Sequence, residues 1–218
     1  MPTYPVELKL TGRTVLVVGG GEVAVRKVAG LLQAGATVRI VSPNFCQPLL
    51  NLREVTREAR AYSPECLDGV CLVFACTDDR QVNAAVAADA RARGIWCNVA
   101  DEPSECDFFV PAVHRQGELS ISVGTGGASP RLAALLRDRL ASHSGPEWGI
   151  LIEELARARG LIKTRVADPG LRRQILDTLC TECSIRLLAT RGREPWRRWF
   201  ERVTEYRLQG RTELPETS

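Results

Sequence analysis

Two hydrophobic patterns alternate along the first hundred residues. Short runs rich in β-branched and other apolar residues, at positions 14–18 (TVLVV), 37–41 (TVRIV), 71–76 (CLVFAC) and 95–99 (IWCNV), read as buried strands. Residues 23–34 and 81–93 carry helical spacing, and each segment is closed by a glycine, Gly35 and Gly94. Strand, helix and strand joined by short links predict a parallel sheet with helices on both faces. The pattern changes near residue 108. Residues 108–113 and 119–123 read as two more strands separated by a polar stretch around Gly117. A glycine-rich loop, residues 124–130, then opens a helix over 131–140. From residue 151 the chain is helical in character and rich in arginine. Asp168-Pro169-Gly170 and the stretch 191–195 divide it into three predicted helices, and the polar end, 212–218, is expected to fray. The expected fold class is therefore α/β: a parallel-sheet domain over 1–111, a small α+β segment over 112–146 and a helical, basic domain over 147–218.

Composition narrows the functional classes. A net charge of +3 in 218 residues gives no strong bulk attraction to nucleic acid. No run approaches 18 apolar residues and the start lacks an apolar leader core, so a cytoplasmic location without a membrane partner is expected. Of the eight cysteines, Cys71, Cys76 and Cys97 lie in strand-like runs, where cysteine acts as a small buried hydrophobe; a disulfide framework is not expected. Cys180-Thr181-Glu182-Cys183 is a lone C-x-x-C on a predicted helix. With no second pair and only His114 and His143 as histidines, no metal site is predicted. Trp196, Trp199 and Phe200 share one helical face, with Arg197 and Arg198 on another.

The chemistry-bearing motif is Gly19-Gly20-Gly21-Glu22-Val23-Ala24, a G-x-G-x-x-A turn directly after a strand and at the start of a helix. Gly19 permits the tight turn, Gly21 lets a pyrophosphate approach the backbone, and Ala24 lets the helix pack on the strand. The free N–H groups at the helix start, around Glu22 and Val23, suit phosphate. The second strand ends in Ser42-Pro43-Asn44, without the acidic residue that often binds the ribose, so residues alone leave NAD and NADP both open. Arg39, two positions before the strand's end, either reaches the ribose or faces solvent. Thr77-Asp78-Asp79 follows another strand end, where Asp79 suits a helix cap and Thr77 the cofactor's neighbourhood. Asn98 is placed to orient the nicotinamide side. Asp101 follows the next strand at its carboxyl end, where it serves either as an acid/base or as a turn former with Glu102-Pro103. Gly124, Thr125 and Gly126 belong to the second glycine-rich loop, which lacks the lysine of a P-loop, and Ser129-Pro130 fits a helix cap.

Together these blocks resemble the precorrin-2 dehydrogenase family, which includes the amino-terminal half of siroheme synthase. The resemblance rests on Val18 to Ala24 with Arg26-Lys27, Ala75 to Asp79 with Val82-Asn83, Cys97-Asn-Val-Ala-Asp101, Phe108-Phe-Val-Pro111 and Val123 to Pro130, in the family's order over residues 4–141. It implies an NAD-binding Rossmann domain over 1–111, a homodimer held by the 112–146 segment and a helical domain over 147–218 that helps to enclose the substrate. The implied activity is NAD-dependent oxidation of precorrin-2, a tetrapyrrole, to sirohydrochlorin on the way to siroheme. By the same resemblance Asp101 is the general acid/base and Gly124, Thr125 and Gly126 contact the acidic substrate. Arginines of the tail are candidates for meeting the substrate's eight carboxylates. Two alternatives stand beside this: a bifunctional dehydrogenase and sirohydrochlorin ferrochelatase, and a non-catalytic NAD-binding redox sensor, against which Asp101 argues.

Overall fold

The computed structural model describes residues 3–211 and residue 215. Apart from Pro215, the 212–218 tail lies outside the described residues. The chain forms two compact units, Met1–Val110 with Gly126–Ala128, and Pro111–Thr125 with Ser129–Ser218.

In the first unit, strands β1 (Thr14–Val18), β2 (Thr37–Val41), β3 (Val55–Glu58), β4 (Leu72–Ala75) and β5 (Trp96–Val99) form one parallel sheet in the order β3-β2-β1-β4-β5. β1 lies at its centre and is buried on both faces, which is why its sequence is a continuous apolar run. Val15 and Val17 pack with α1 (Glu22–Gln33) through Ala24, Val28 and Leu31. Leu16 and Val18 pack on the other side with α3 (Arg80–Ala92) through Val86, Ala87 and Ala90. Each fully buried Val or Leu of this strand contributes about 1.5–3 kcal/mol relative to exposure.

Several expectations need correction. The sheet has a fifth strand, β3, and a short helix, α2 (Gln47–Asn51), that the hydrophobic pattern does not reveal. β3 is an edge strand, Val-Thr-Arg-Glu, of which only Val55 is buried, so it carries no apolar run. Residues 108–111 are not a strand; the strand begins at Ala112. The preceding segment runs back along β5. Asp107 receives the Cys97 N–H on its carboxylate (2.9 Å) and donates its own N–H to the Cys97 carbonyl (2.9 Å), covering the sheet edge. Cys71 is exposed, because it precedes β4 at the sheet's amino edge, whereas Cys76 and Cys97 are buried. Burial pushes the Cys76 thiol up to about 11 and the Cys97 thiol up to about 12. All eight cysteines are unpaired.

In the second unit, β6 (Ala112–Gln116) and β7 (Leu119–Val123) form an antiparallel ribbon whose turn uses Gly117 at φ 58°. α4 (Pro130–Ala141) packs on it, with Ser129 accepting the Leu132 N–H at 3.2 Å as the cap. α5 (Pro146–Arg165) also meets the ribbon. A Cβ at Gly149 would stand 3.0 Å from the Gln116 carbonyl.

Among the described residues the basic tail holds four helices rather than three: α5, α6 (Pro169–Leu179), α7 (Glu182–Arg191) and α8 (Arg193–Leu208). The unforeseen break falls at Cys180, after which the Thr181 hydroxyl caps α7 by accepting the Ser184 N–H at 3.4 Å. Cys180 and Cys183 therefore lie on either side of a break, not along one helix. Pro195 sits in the first turn of α8, where its missing N–H would have had no partner anyway. Trp196, Trp199 and Phe200 are almost wholly buried and fill the core of this unit with Ile162, Ile175 and Leu179. Among the described residues no helix is long and apolar enough to cross a membrane.

Candidate active site

The strand order reverses at β1, which is followed on one side by β2 and on the other by β4. In open parallel sheets ligands bind at the strands' carboxyl ends beside such a switch point. The Gly19-Gly20-Gly21 turn leaves β1 there, and the Thr77 turn leaves β4 next to it.

The three glycines have different reasons for being glycine. Gly19 is buried with φ 124°, and a side chain there would collide with the Cys76 carbonyl and stand 3.1 Å from the Thr77 nitrogen. Gly20, an unspecified position in the motif, would collide with the Asn44 backbone and the Ser42 hydroxyl. Both are required by the protein's own packing. Gly21 is exposed, has an extended backbone (φ −96°) and would place a Cβ in open space. It caps the start of α1, so the free N–H groups of Glu22 and Val23 border this open surface. Glu22 is exposed and Val23 half-buried. A site where the bare protein leaves room and a helix N-terminus supplies donors fits the pyrophosphate of a dinucleotide.

The flanking turns are held rigidly. The Gly20 carbonyl accepts the Cys46 N–H (2.8 Å), and Val41 accepts from Gly19 (2.9 Å), tying the β1 and β2 exits together. Ser42 is buried between them, while Pro43 and Asn44 are exposed at the rim. Arg39 neither reaches the rim freely nor faces water alone. It forks onto Glu58 of β3 at 2.9 and 3.2 Å, and Arg60 takes the other Glu58 oxygen at 2.7 Å. Hydrogen bonds from these guanidiniums hold the Glu58 carboxyl below the usual range.

At the β4 exit, the Thr77 N–H (3.1 Å) and hydroxyl (2.7 Å) both donate to the side-chain oxygen of Asn83, whose amide returns a bond to the Thr77 carbonyl (3.0 Å). Asn83 is buried on α3; it lies in a block that carries the resemblance, but its bond to the Thr77 turn was not foreseen. Asp79 caps α3 through the N–H groups of Gln81 (2.8 Å) and Val82 (3.3 Å).

Asp101 follows β5 in a turn and is exposed. Its φ is 62°, and among the described residues it alone is a non-glycine with positive φ. Aspartate tolerates this conformation better than most residues, yet such backbone is uncommon and clusters at functional sites. Asn98 is buried inside β5. Its NH₂ donates to the Phe108 carbonyl at 2.9 Å and lies 3.5 Å from the Cys106 sulfur. Cys106, also unforeseen, locks the turn by accepting the Val99 N–H and donating to the Val99 carbonyl, both at 3.2 Å.

In the second glycine-rich loop, Gly124 and Gly126 are exposed. The Thr125 hydroxyl closes on Ser129, donating to its carbonyl (3.1 Å) and accepting its N–H (3.2 Å). Gly126 takes φ 60°. Of the tail arginines, Arg197 and Arg193 are committed to the buried carboxylate of Glu154 at 2.6 and 3.4 Å, while Arg198 is exposed. No group of three or more His, Cys, Asp or Glu side chains converges for a metal among the described residues.

Comparison with known proteins matches this arrangement. A family model described as putative NAD(P)-binding covers residues 6–112, and one described as the central part of a sirohaem biosynthesis protein covers 116–143. The siroheme synthase of Chromobacterium violaceum is 40% identical over 182 residues, which is 82% of this chain and 39% of that one. The siroheme synthase of Nitrosospira multiformis is 35% identical over 99% of this chain and 46% of its own length. The solved structure of SirC, a precorrin-2 dehydrogenase, superposes with a TM-score of 0.76 at 26% identity, covering 94% of this chain and 100% of that one. The chain is similar to a precorrin-2 dehydrogenase and to the matching part of siroheme synthases. It spans less than half the length of these siroheme synthases. The stretch matched as putative NAD(P)-binding holds the parallel α/β sheet, and a helical region follows it in the chain.

Proposed function

We propose that the chain is an NAD-dependent dehydrogenase that oxidises the tetrapyrrole precorrin-2 to sirohydrochlorin. The single observation that carries this reading is Gly21. The fold does not need a glycine there, and the open space it leaves borders a helix N-terminus at the sheet's switch point. The likeness to SirC along nearly the whole chain supports the choice of substrate.

In this reading Gly19 and Gly20 shape the turn, while Gly21, Glu22 and Val23 offer backbone N–H groups to the pyrophosphate. Ser42, Pro43 and Asn44 border the adenosine ribose, and Thr77, fixed by Asn83, borders the nicotinamide half. Asn98 contributes indirectly by holding the β5 exit in place. When bound, the nicotinamide supplies a hydride acceptor. Asp101 takes the ring proton that must leave as the hydride departs, so two hydrogens are removed as hydride and proton. Gly124, Thr125 and Gly126 contact the acidic substrate.

The protein acts as a homodimer in the cytoplasm. Support for the dimer comes from α4, where Leu132, Leu135, Leu136 and Leu140 lie on one face and are 39–63% exposed. The neighbouring ribbon, although packed by α4 and α5, has no fully buried residue. A second copy covering this face stabilises both. The test of the activity is spectrophotometric: precorrin-2 and NAD with the purified chain, with and without Fe²⁺. Appearance of NADH and sirohydrochlorin without iron is expected. Their absence in a folded, NAD-binding preparation rejects the reading, and iron uptake into the product decides for the bifunctional alternative.

A further inference from the structure

The loop that carries Asp101 leaves β5 at Val99 and comes back to the same strand at Cys106. β5 is the last strand of its sheet, so one side of it has no strand beside it. The returning segment covers that side. Asp107 holds both backbone groups of Cys97, and the Asn98 amide donates to the Phe108 carbonyl at 2.9 Å. At Val99 one sulfur takes the place of a neighbouring strand. Cys106 Sγ accepts the Val99 N–H and donates to the Val99 carbonyl, both at 3.2 Å. It also lies 3.5 Å from the Glu102 carbonyl and 3.5 Å from the Asn98 amide nitrogen.

Asp101 lies between these ends at φ 62°, and among the described residues neither its backbone nor its carboxylate makes a hydrogen bond. Positive φ in a residue other than glycine persists only where the surroundings over-determine it. The restraint on Asp101 therefore comes from its neighbours. Before it, Ala100 donates its N–H to the Ala75 carbonyl at 2.9 Å; after it, the Glu102 carbonyl accepts the Glu105 N–H at 3.1 Å. The Cys106 thiol reaches both flanks, Val99 on one side and Glu102 on the other. A neutral thiol can donate and accept at once. Burial raises the Cys106 pKa above its ordinary value, so the sulfur keeps the proton that it donates.

We propose that Cys106 is a positioning residue for the dehydrogenation: its thiol fixes the base of the 99–106 loop and so aims the Asp101 carboxylate at the proton it removes. This role rests on the one given to Asp101 above. Serine offers the same donor and acceptor on a shorter bond, whereas alanine offers neither and leaves the Val99 N–H and carbonyl at an open edge.

The test pairs a structural readout with a kinetic one. In hydrogen–deuterium exchange, residues 99–106 should exchange faster in Cys106→Ala than in the wild type, with β1 and β4 unmoved and Cys106→Ser close to the wild type. Unchanged exchange in Cys106→Ala overturns the proposal, and this readout does not depend on turnover. A misplacement of about 1 Å at a reacting group costs about a hundredfold in rate. In single-turnover assays with precorrin-2 and NAD, Cys106→Ala should therefore lose about ten- to a hundredfold in rate per folded molecule, with NAD affinity retained. Cys106→Ser should recover most of that loss. In an Asp101→Asn background, Cys106→Ala should cost little more. A wild-type rate in Cys106→Ala, or an undiminished loss in the Asp101→Asn background, also overturns the proposal; the latter result would mean that the thiol acts on the sheet edge and not through Asp101. If the wild type itself does not turn over, the dehydrogenase reading fails, while exchange still decides whether the thiol holds the loop.

Discussion

A methyl group added at Gly20 runs into the Asn44 backbone, whereas one added at Gly21 meets nothing within 4 Å. The two neighbours should therefore respond oppositely to the same substitution. Gly20→Ala should lower the melting temperature sharply, since the obstacle is backbone and cannot swing aside. Gly21→Ala should keep stability within about 0.5 kcal/mol, as surface changes usually do, and Gly21→Asp should abolish NAD binding by bulk and charge. Calorimetric titration alongside a thermal melt separates the two effects, and unchanged NAD affinity in Gly21→Asp would remove the glycine turn from the cofactor site. The motif made Gly19 and Gly21 legible from the sequence, because their roles depend on local backbone. Gly20, Asn83 and Cys106 were not legible in the same way. Gly20 meets Asn44 at the exit of another strand, while Asn83 and Cys106 turn back on Thr77 and Val99, six and seven residues earlier, and no local pattern announces those meetings.

Among the elements, α5 and α8 are joined by a carboxylate almost sealed from water. The Glu154 side chain is 2% exposed and accepts from Arg197 at 2.6 and 2.9 Å and from Arg193 at 3.4 Å. Hydrogen bonds from Arg197 lower its pKa from the ordinary carboxylate value, outweighing the opposing effect of burial. A depressed carboxylate stabilises the fold fully above its unfolded pKa of about 4.3 and loses that contribution as pH falls through the folded value. The helical unit should thus lose stability as pH falls below about 4.3, and Glu154→Gln should flatten that acid limb. At neutral pH Glu154→Ala should cost about 3 kcal/mol, the lower end for breaking a buried pair, because both arginines keep contact with water. Chemical denaturation monitored by tryptophan fluorescence reads this directly, since Trp196 and Trp199 lie in the same core. The aromatic face of α8 was readable from spacing alone. The break at Cys180 was not, because it carries neither glycine nor proline and is set by the Thr181 cap.

For the whole molecule, the first unit builds its two apolar cores on opposite faces of one sheet and the second unit builds a separate aromatic core. The parallel α/β class followed from alternation of strand and helix patterns, since the central strands are buried on both faces and read as apolar runs. The edge strand β3 escaped because an edge does not require such a run. The leucines of α4 have an outcome of their own. Leu135→Glu should leave a folded chain whose mass by light scattering is that of the monomer, against twice 24.0 kDa for the wild type. A wild-type monomer would contradict the dimer.

In the proposed reaction Asp101 moves the proton as NAD oxidises precorrin-2, and one paired measurement tests that role. Single-turnover rate, NAD affinity and melting temperature are measured on the same preparations of wild type and Asp101→Ala. The account predicts a rate loss of about 10²–10⁴-fold, typical of a general acid–base group, with NAD affinity nearly unchanged and the fold intact. A well-folded Asp101→Ala protein that oxidises precorrin-2 at the wild-type rate would contradict it.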